Sequence, residues 1–271
     1  MKDTIFALST VPGLSAISVF RISGPNAFFV LRKITRAKSP KNRLASLRKI
    51  FWEGDIIDKC IVIAFNKNDS YSGEKTVEIH CHGSIAIINK LASILTQCGS
   101  ELNIRPAEEG EFTRQAFYNG KMDLIQVEGL SDLLRAESEA QRKISFDSLN
   151  GVVSKKVGIW KSKILAILAF LEADIDFNDQ DLGEINILNM ISDLINLLKT
   201  EQDDFKDIRS IKEGLEIAII GPPNVGKSTL INNLVKRNVS LTSRIAGTTR
   251  DIIEAKVQIN GVYITFLDTA G

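Results

Sequence analysis

Residues 215–229 leave this chain less freedom than any other stretch. Leu215-Glu216-Ile217-Ala218-Ile219-Ile220 is a near-continuous apolar run, the pattern of a buried parallel strand. Gly221-Pro222-Pro223-Asn224-Val225-Gly226-Lys227-Ser228-Thr229 follows, and helical spacing then continues to about Lys236. Two glycines separated by four residues and followed by lysine and a hydroxyl form a phosphate loop. Small residues let successive backbone N–H groups curl around phosphates at a helix N-terminus. Lys227 is placed to reach the β- and γ-phosphates and Ser228 to ligate Mg²⁺. Further along, Thr248 and Thr249 precede a strand, and a threonine hydroxyl there completes the Mg²⁺ shell and senses the γ-phosphate. Asp268 closes an apolar strand and is followed by Thr269-Ala270-Gly271. In that order after a phosphate loop, these signals favour a switch-type GTPase over a generic ATPase.

The remaining 213 or so N-terminal residues read differently. A chain of 271 residues suggests about two domains. Its 44% hydrophobic and 25% charged fractions are those of a globular protein, against disorder or a fibre. No apolar run reaches the roughly 18–20 residues that cross a bilayer, and Met1-Lys2-Asp3-Thr4 does not open a secretory signal. Three scattered cysteines make no disulfide framework, so a cytoplasmic setting without membrane association is expected. The formal charge of +1 hides a division. Residues 1–120 hold 16 basic against 11 acidic side chains, and residues 121–213 hold 12 against 18. Between Arg32 and Lys49 there are eight basic residues and no acidic one. An anionic partner such as nucleic acid and a plain solvated surface explain that run equally well on charge alone, and it lacks interleaved aromatics for base stacking.

Residues 1–120 mix both periods: strands at Ile17 to Ile22, Cys60 to Phe65 and Thr76 to His80, and a helix from Ser84 to Leu95 with Gly99 as its stop. From about Asp123 the period becomes helical. Leu124, Val127, Leu130 and Leu134 form one stripe; Val153, Val157, Trp160, Ile164, Leu168 and Leu171 a second; Ile187, Ile191, Leu194 and Leu198 a third, each expected to face a bundle core. The expected fold is therefore an α+β domain over 1–120, an all-α domain over 121–213, and part of an α/β phosphate-loop domain over 214–271.

Other motifs carry less. Asn66-Lys67-Asn68-Asp69 fits the guanine-reading tetrapeptide but reads as a polar surface turn. His80-Cys81-His82 has no second Cys/His pair at zinc spacing. Glu108-Glu109-Gly110-Glu111 reads as an acidic helix N-terminus rather than paired catalytic carboxylates. No catalytic residue is assignable within the chain.

With these residues in view, the chain resembles the MnmE (TrmE) family of tRNA-modification GTPases over its whole length. The likeness runs through Phe20-Arg21-Ile22-Ser23-Gly24, Val77-Glu78-Ile79, His82-Gly83, Arg105-Pro106, Gly110-Glu111-Phe112-Thr113 and Asn119-Gly120-Lys121-Met122-Asp123-Leu124. It continues through Ile175-Asp176-Phe177, the phosphate loop, and Ile245-Ala246-Gly247-Thr248-Thr249-Arg250-Asp251. The resemblance implies a folate-binding homodimerisation domain, a helical domain, and a G domain inserted into the latter. It implies modification of the wobble uridine of tRNA at carbon 5 with the flavoprotein MnmG/GidA, in a heterotetramer. Arg21, Glu78 and Lys121 are then the contacts for 5-formyl- or methylene-tetrahydrofolate. Asn224, Val225, Gly226, Lys227, Ser228, Thr229, Ser243, Arg244, Ile245, Ala246, Gly247, Thr248, Thr249, Asp268, Thr269, Ala270 and Gly271 are those for GTP. Ser228 and Thr249 would serve Mg²⁺, and Asn224, Ser243, Ile245 and Thr248 would serve K⁺. Ser243 departs from the threonine of the family pattern, which a backbone carbonyl ligand tolerates. The family's guanine motif and later helices do not occur before Gly271, so a truncated GTPase that hydrolyses GTP poorly and does not select guanine is expected. A non-enzymatic folate-binding dimer and a ribosome-assembly GTPase are the rival readings.

Overall fold

The computed structural model describes residues 3–176 and 187–221, and beyond these 225–227, 229–231, 233, 253–259 and 262–268. The chain falls into two compact units, Met1–Leu124 and Ile125–Gly271.

The first unit is built on a six-stranded mixed sheet of order β3-β4-β5-β2-β1-β6. Its strands are β1 (Thr4–Leu8), β2 (Ser15–Ser23), β3 (Ser46–Trp52), β4 (Asp55–Phe65), β5 (Thr76–Gly83) and β6 (Ile104–Pro106). The period of two in β2 decides how the sheet is used. Phe20 and Ile22 point to one face, where α1 (Ala27–Thr35) and α2 (Ile85–Gln97) cover them. Val30, Leu31 and Ile34 of α1 and Leu91, Ile94 and Leu95 of α2 meet Val62, Val77 and Ile79 in one core. Each such side chain, once buried, contributes about 1.5–3 kcal/mol. Arg21 and Ser23 point to the other face.

Local chemistry sets the helix ends. Ser84 caps α2 by accepting the Ile87 N–H at 3.2 Å. The helix runs on to Gln97, and Gly99, the expected stop, instead begins the short α3 (Gly99–Leu102). The turn from β2 into α1 needs glycine: Gly24 has φ +140°, and a Cβ there would lie 2.6 Å from the Thr4 Cα. Residues Lys67–Asp69 form a single exposed 3₁₀ turn, in keeping with a polar surface turn at 66–69.

The acidic run at 108–111 does more than favour a helix N-terminus. Glu111 opens α4 (Glu111–Tyr118) yet is only 2% exposed. Arg105 donates to both its carboxylate oxygens, Nη2 to Oε1 at 2.6 Å and Nη1 to Oε2 at 2.9 Å. The Glu108 N–H adds a third bond at 2.8 Å. The Arg105 guanidinium, followed by that N–H and the Arg114 charge, outweighs burial and holds the Glu111 carboxyl down at about 2.

The second unit joins four helices to a small sheet. The helices are α5 (Leu124–Arg135), α6 (Glu139–Leu149), α7 (Val152–Asp176) and α8 (Ile187–Glu213). Ser138 and Gln141 form a reciprocal capping box at the start of α6, a helix that the apolar stripes did not announce. α7 and α8 are tied by the Lys156–Glu201 ion pair and an edge-to-face contact of Trp160 with Phe205. The expected stripes lie on these helices, but of their residues only Leu194 of α8 is buried. On α7 the buried residue is Ile167, outside the stripe, whereas Ile164 is 44% and Leu168 48% exposed; on α5 Leu124 and Leu134 are exposed. Periodicity finds a helix, but it does not say which of its turns meet a neighbour. The small sheet has the order β7-β9-β8, with β7 (Leu215–Ile219), β8 (Ile253–Ile259) and β9 (Val262–Asp268). β7 and β9 run parallel and β8 and β9 antiparallel. The Tyr263 hydroxyl donates to the Glu137 carbonyl at 2.8 Å, which joins this sheet to the α5–α6 turn.

These elements match the expected α+β domain, helical domain and partial phosphate-loop sheet. One prediction follows from Glu111. Because its folded pKa is depressed, its stabilisation is complete above the ordinary carboxylate range and is lost as pH falls from about 4.5 through about 2. Glu111→Gln is expected to lower stability on the order of 2 kcal/mol at pH 7, allowing for solvent at the half-exposed Arg105. Thermal unfolding should show the gap to the parent chain closing across that pH window; a gap that stays constant down to pH 2 contradicts the assignment.

Candidate functional site

Two places collect chemistry, one in each unit. On the open face of the larger sheet, Arg21 of β2 stands opposite Glu78 of β5. Arg21 Nη2 and Nε both donate to Glu78 Oε1, at 2.9 and 3.1 Å. The neighbouring register pair, Ser23 and Thr76, is sealed: Ser23 donates to Gln115 Oε1 of α4 at 2.7 Å and meets Ser72 Oγ at 2.6 Å. Cover ends one register pair away, so the Arg21 and Glu78 side chains remain 25% and 19% exposed. Two rings flank the guanidinium, Tyr71 at 5.2 Å and Phe112 at 5.5 Å. Tyr71 Oη and Thr113 Oγ1 share a hydrogen bond of 2.8 Å, which fastens the 66–75 loop to α4 and fixes both rings.

Glu78 Oε1 is taken by Arg21. Its Oε2 faces only His80 Nε2, at 3.5 Å, and that buried ring nitrogen has no hydrogen-bond partner among the described residues. The pair is thus a preformed donor–acceptor edge between two rings, with unfilled hydrogen-bonding capacity at Glu78 and His80. It suits a flat heterocycle that offers N–H groups to a carboxylate. Lys121 is not brought to this pair: its ammonium donates to the Asn68 carbonyl at 2.6 Å. Tyr71, Thr113 and His80 were missed as site residues in the sequence because they come from a loop, a helix and a strand; the Gly110 to Thr113 motif pointed to one of them, and His80 stood out only as part of a run weighed for metal.

The His80-Cys81-His82 run is divided among separate partners. His82 Nδ1 pairs with Asp58 Oδ1 at 2.8 Å, while His80 faces Glu78. Among the described residues no group of three or more His, Cys, Asp or Glu side chains is arranged to hold a metal ion. Burial pushes the Cys60 thiol up to about 12 and the Cys81 thiol to about 11, so neither is a ready nucleophile.

The second place is the end of β7. Gly221 follows the strand, Val225 and Gly226 form a bend, and residues 227, 229–231 and 233 are helical. Gly226 has φ +97°, a conformation open to glycine, and its carbonyl accepts the Leu230 N–H at 2.9 Å to start the helix. Ile231 of this helix is buried against Val257 and Phe266 of the sheet. Lys227 Nζ donates to the Gly221 carbonyl at 2.6 Å, so the ammonium lies across the loop it belongs to. β9 ends on Asp268, in register with Ile219 of β7, which puts that residue at the same end of the sheet as Gly221. Val225 and Thr229 are exposed beside Lys227. Asn224, Ser228, Ser243, Arg244, Ile245, Ala246, Gly247, Thr248, Thr249, Thr269, Ala270 and Gly271 lie outside the described residues.

A groove of about 630 Å³ among α5 to α8 is lined by Glu128, Asp132, Asp147 and Ser148 with apolar side chains, and by Lys156, whose charge is already paired with Glu201. Its acidic lining is the wrong sign for phosphate. No helix among the described residues is long and apolar enough to cross a membrane.

Two family models cover the chain almost end to end. "GTP-binding protein TrmE N-terminus" matches residues 4–121, and "MnmE helical domain" matches residues 124–268. Three similar proteins all carry the name tRNA modification GTPase MnmE. That of Cereibacter sphaeroides (strain ATCC 17025 / ATH 2.4.3) is 40% identical over 272 residues, 99% of this chain and 63% of the relative. That of Roseobacter denitrificans is 42% identical over 273 residues, with the same 99% and 63% coverage. That of Pelagibacter ubique is 43% identical over 273 residues, 99% of this chain and 61% of the relative. The chain thus spans a little over three fifths of the length of the curated relatives it matches. On these matches the chain belongs to the MnmE (TrmE) family.

Proposed function

We propose that the chain works in tRNA modification as a GTP-binding protein that also holds a reduced folate. In this reading residues 214–271 take GTP, residues 1–120 take 5-formyl- or methylene-tetrahydrofolate and form a homodimer, and residues 121–213 connect them. The modification is the addition of a carboxymethylaminomethyl group at C5 of the wobble uridine, carried out in the cytoplasm with the flavoprotein MnmG/GidA in a heterotetramer.

The observation that carries the reading is Lys227. It begins a helix after a strand and a glycine bend, and its ammonium lies over the Gly221 carbonyl, inside the loop where phosphates bind. Its charge and the loop's N–H groups would grip the β- and γ-phosphates, with Ser228 and Thr249 holding Mg²⁺ and Asn224, Ser243, Ile245 and Thr248 holding K⁺. The two cations, when bound, neutralise charge that gathers on the phosphates during transfer to water. The printed name of the relatives supports tRNA as the substrate.

For the folate, the Arg21–Glu78 edge is the supporting feature. A folate supplies a one-carbon unit; this chain's part is to bind and orient it. Glu78 Oε2 is open to accept ring N–H groups, Tyr71 and Phe112 give the ring faces to pack on, and Arg21 supplies positive charge; Lys121, held by the Asn68 carbonyl, would have to leave that bond to reach the same ligand.

Glu78→Ala removes a charge-assisted acceptor worth about 1.5–3 kcal/mol, so 5-formyltetrahydrofolate should bind at least tenfold more weakly by calorimetry. Equal affinity in parent and variant would refute the folate assignment. The ion pair is largely buried, so removing Glu78 also leaves the Arg21 guanidinium unpaired and should lower the melting temperature; thermal unfolding of the variant therefore accompanies the calorimetry, to show that it is still folded where binding is read. Lys227→Ala should reduce GTP and GDP affinity at least tenfold while leaving folate binding as it was; a variant that binds nucleotide normally removes the phosphate-loop assignment.

A further inference from the structure

The folded chain gives the basic run at 32–49 a form that its sequence does not announce. α1 ends at Thr35 with Arg36 in the left-handed conformation as its C-cap, and β3, the edge strand of the larger sheet, returns beside it from Ser46. That return brings Phe51 and Trp52 onto cations of α1, while Phe29 reaches Arg32 one turn on within the helix. The Arg32 guanidinium lies 4.7 Å from the Phe29 ring centre, Arg36 lies 5.0 Å from Phe51, and the Lys33 ammonium lies 5.9 Å from Trp52. At the other end of α1, Lys75 lies 5.8 Å from Phe28. Phe29 keeps 51% of its surface exposed. The interleaving absent along the chain is present in space.

Charge on this seam is unbalanced. Lys33 pairs with Glu101. Among the described residues, Arg32, Arg36, Lys38, Lys41, Arg43 and Lys49 have no carboxylate partner, and all six are exposed. The nearby acids are taken or stand aside: Asp69 accepts from Asn42, Asp58 from His82, and Glu53 and Asp55 occupy the β3–β4 turn. Arg32, Arg36 and Lys38 crowd the end of α1, Lys41 and Arg43 follow in the connection to β3, and like charges in so short a stretch repel each other, a cost that an anionic partner removes.

We propose that the seam between α1 and β3 is a docking surface for RNA, with its cations on the phosphate backbone and Phe29 as a stacking platform for an unpaired base. The inference deepens the tRNA reading above and rests on it. A guanidinium held over a ring keeps its outer N–H groups for phosphate: Arg32 spends Nε on the Phe28 carbonyl at 3.4 Å and keeps its two Nη groups, so Arg32 and Arg36 are oriented before any ligand arrives. Exposed ring face plus unpaired cation is the combination that binds single-stranded loops. Leu44 and Leu47 are also exposed in this stretch, which makes an anionic membrane the competing occupant.

The test is fluorescence anisotropy of labelled tRNA transcript with the whole chain at several salt concentrations, beside sedimentation with phosphatidylserine vesicles. The parent chain should bind tRNA with an affinity that falls steeply with salt. Arg32→Glu/Arg36→Glu/Lys38→Glu should lose at least tenfold, with the log–log salt slope reduced by about 2 to 3. Lys41→Glu/Arg43→Glu, which touches no cation–ring pair, should lose a smaller factor with a slope change of about 1 to 2. Phe29→Ala should lose about fivefold or more with the slope unchanged. Folate titration of each variant checks that the unit remains folded. If all three variants bind tRNA as the parent does, RNA docks elsewhere: this surface is wrong and the tRNA reading stands. If the parent binds no tRNA, both fall. Binding to vesicles without binding to tRNA overturns the proposal in favour of a membrane.

Discussion

The open face of the N-terminal unit depends on one register, that of β2 against β5. Arg21 faces Glu78 because Ile22 faces Val77 and Phe20 faces Ile79. Those apolar pairs belong to the core under α1 and α2, so moving the register by one residue would drive Arg21 into it and set Phe20 and Ile22 in solvent. The burial of several large side chains therefore holds one ion pair in place. The pair adds little stability of its own. Its position is fixed by the core behind it, the condition for a site whose ligand finds its partners already aligned.

A second constraint bounds the same face. Gln115, Phe112 and Thr113 all come from α4, and α4 starts at Glu111, which Arg105 holds from β6. The bidentate bond joins the last strand of the sheet to the helix that lies over it. Removing it would loosen the frame around Arg21 without touching that side chain, so the geometry of the open face depends on one buried carboxylate.

Much of this was legible in the sequence, for identifiable reasons. β2 and β5 alternate cleanly, and one face of each is buried, so the period is legible, while their pairing and register come only from the fold. The phosphate loop is legible because Gly226 must adopt a positive φ and Lys227 must follow it. What was not legible required knowing who packs on whom. Glu111 reads as an acidic helix start; its burial depends on Arg105, which an apolar pattern does not reveal. The bundle stripes mark α7 and α8, yet Ile164 and Leu168 stay half-exposed because a periodic face becomes core only where a partner lies against it. The aromatics on the basic run were hidden for a like reason: Phe29 meets Arg32 one turn on within α1, and Phe51 and Trp52 meet Arg36 and Lys33 only because α1 and β3 lie side by side.

The bond from Lys227 to the Gly221 carbonyl has a consequence for how the loop meets a ligand. The ammonium is never left without an acceptor, because its own loop supplies one at high effective concentration. That acceptor is an internal competitor. A ligand offering one weak negative charge gains little by displacing it, since one acceptor replaces another. A polyphosphate replaces a neutral carbonyl with several charged oxygens and engages the loop N–H groups in the same move. On the reading proposed above, the loop would favour a ligand of high charge density over one carrying a single weak charge.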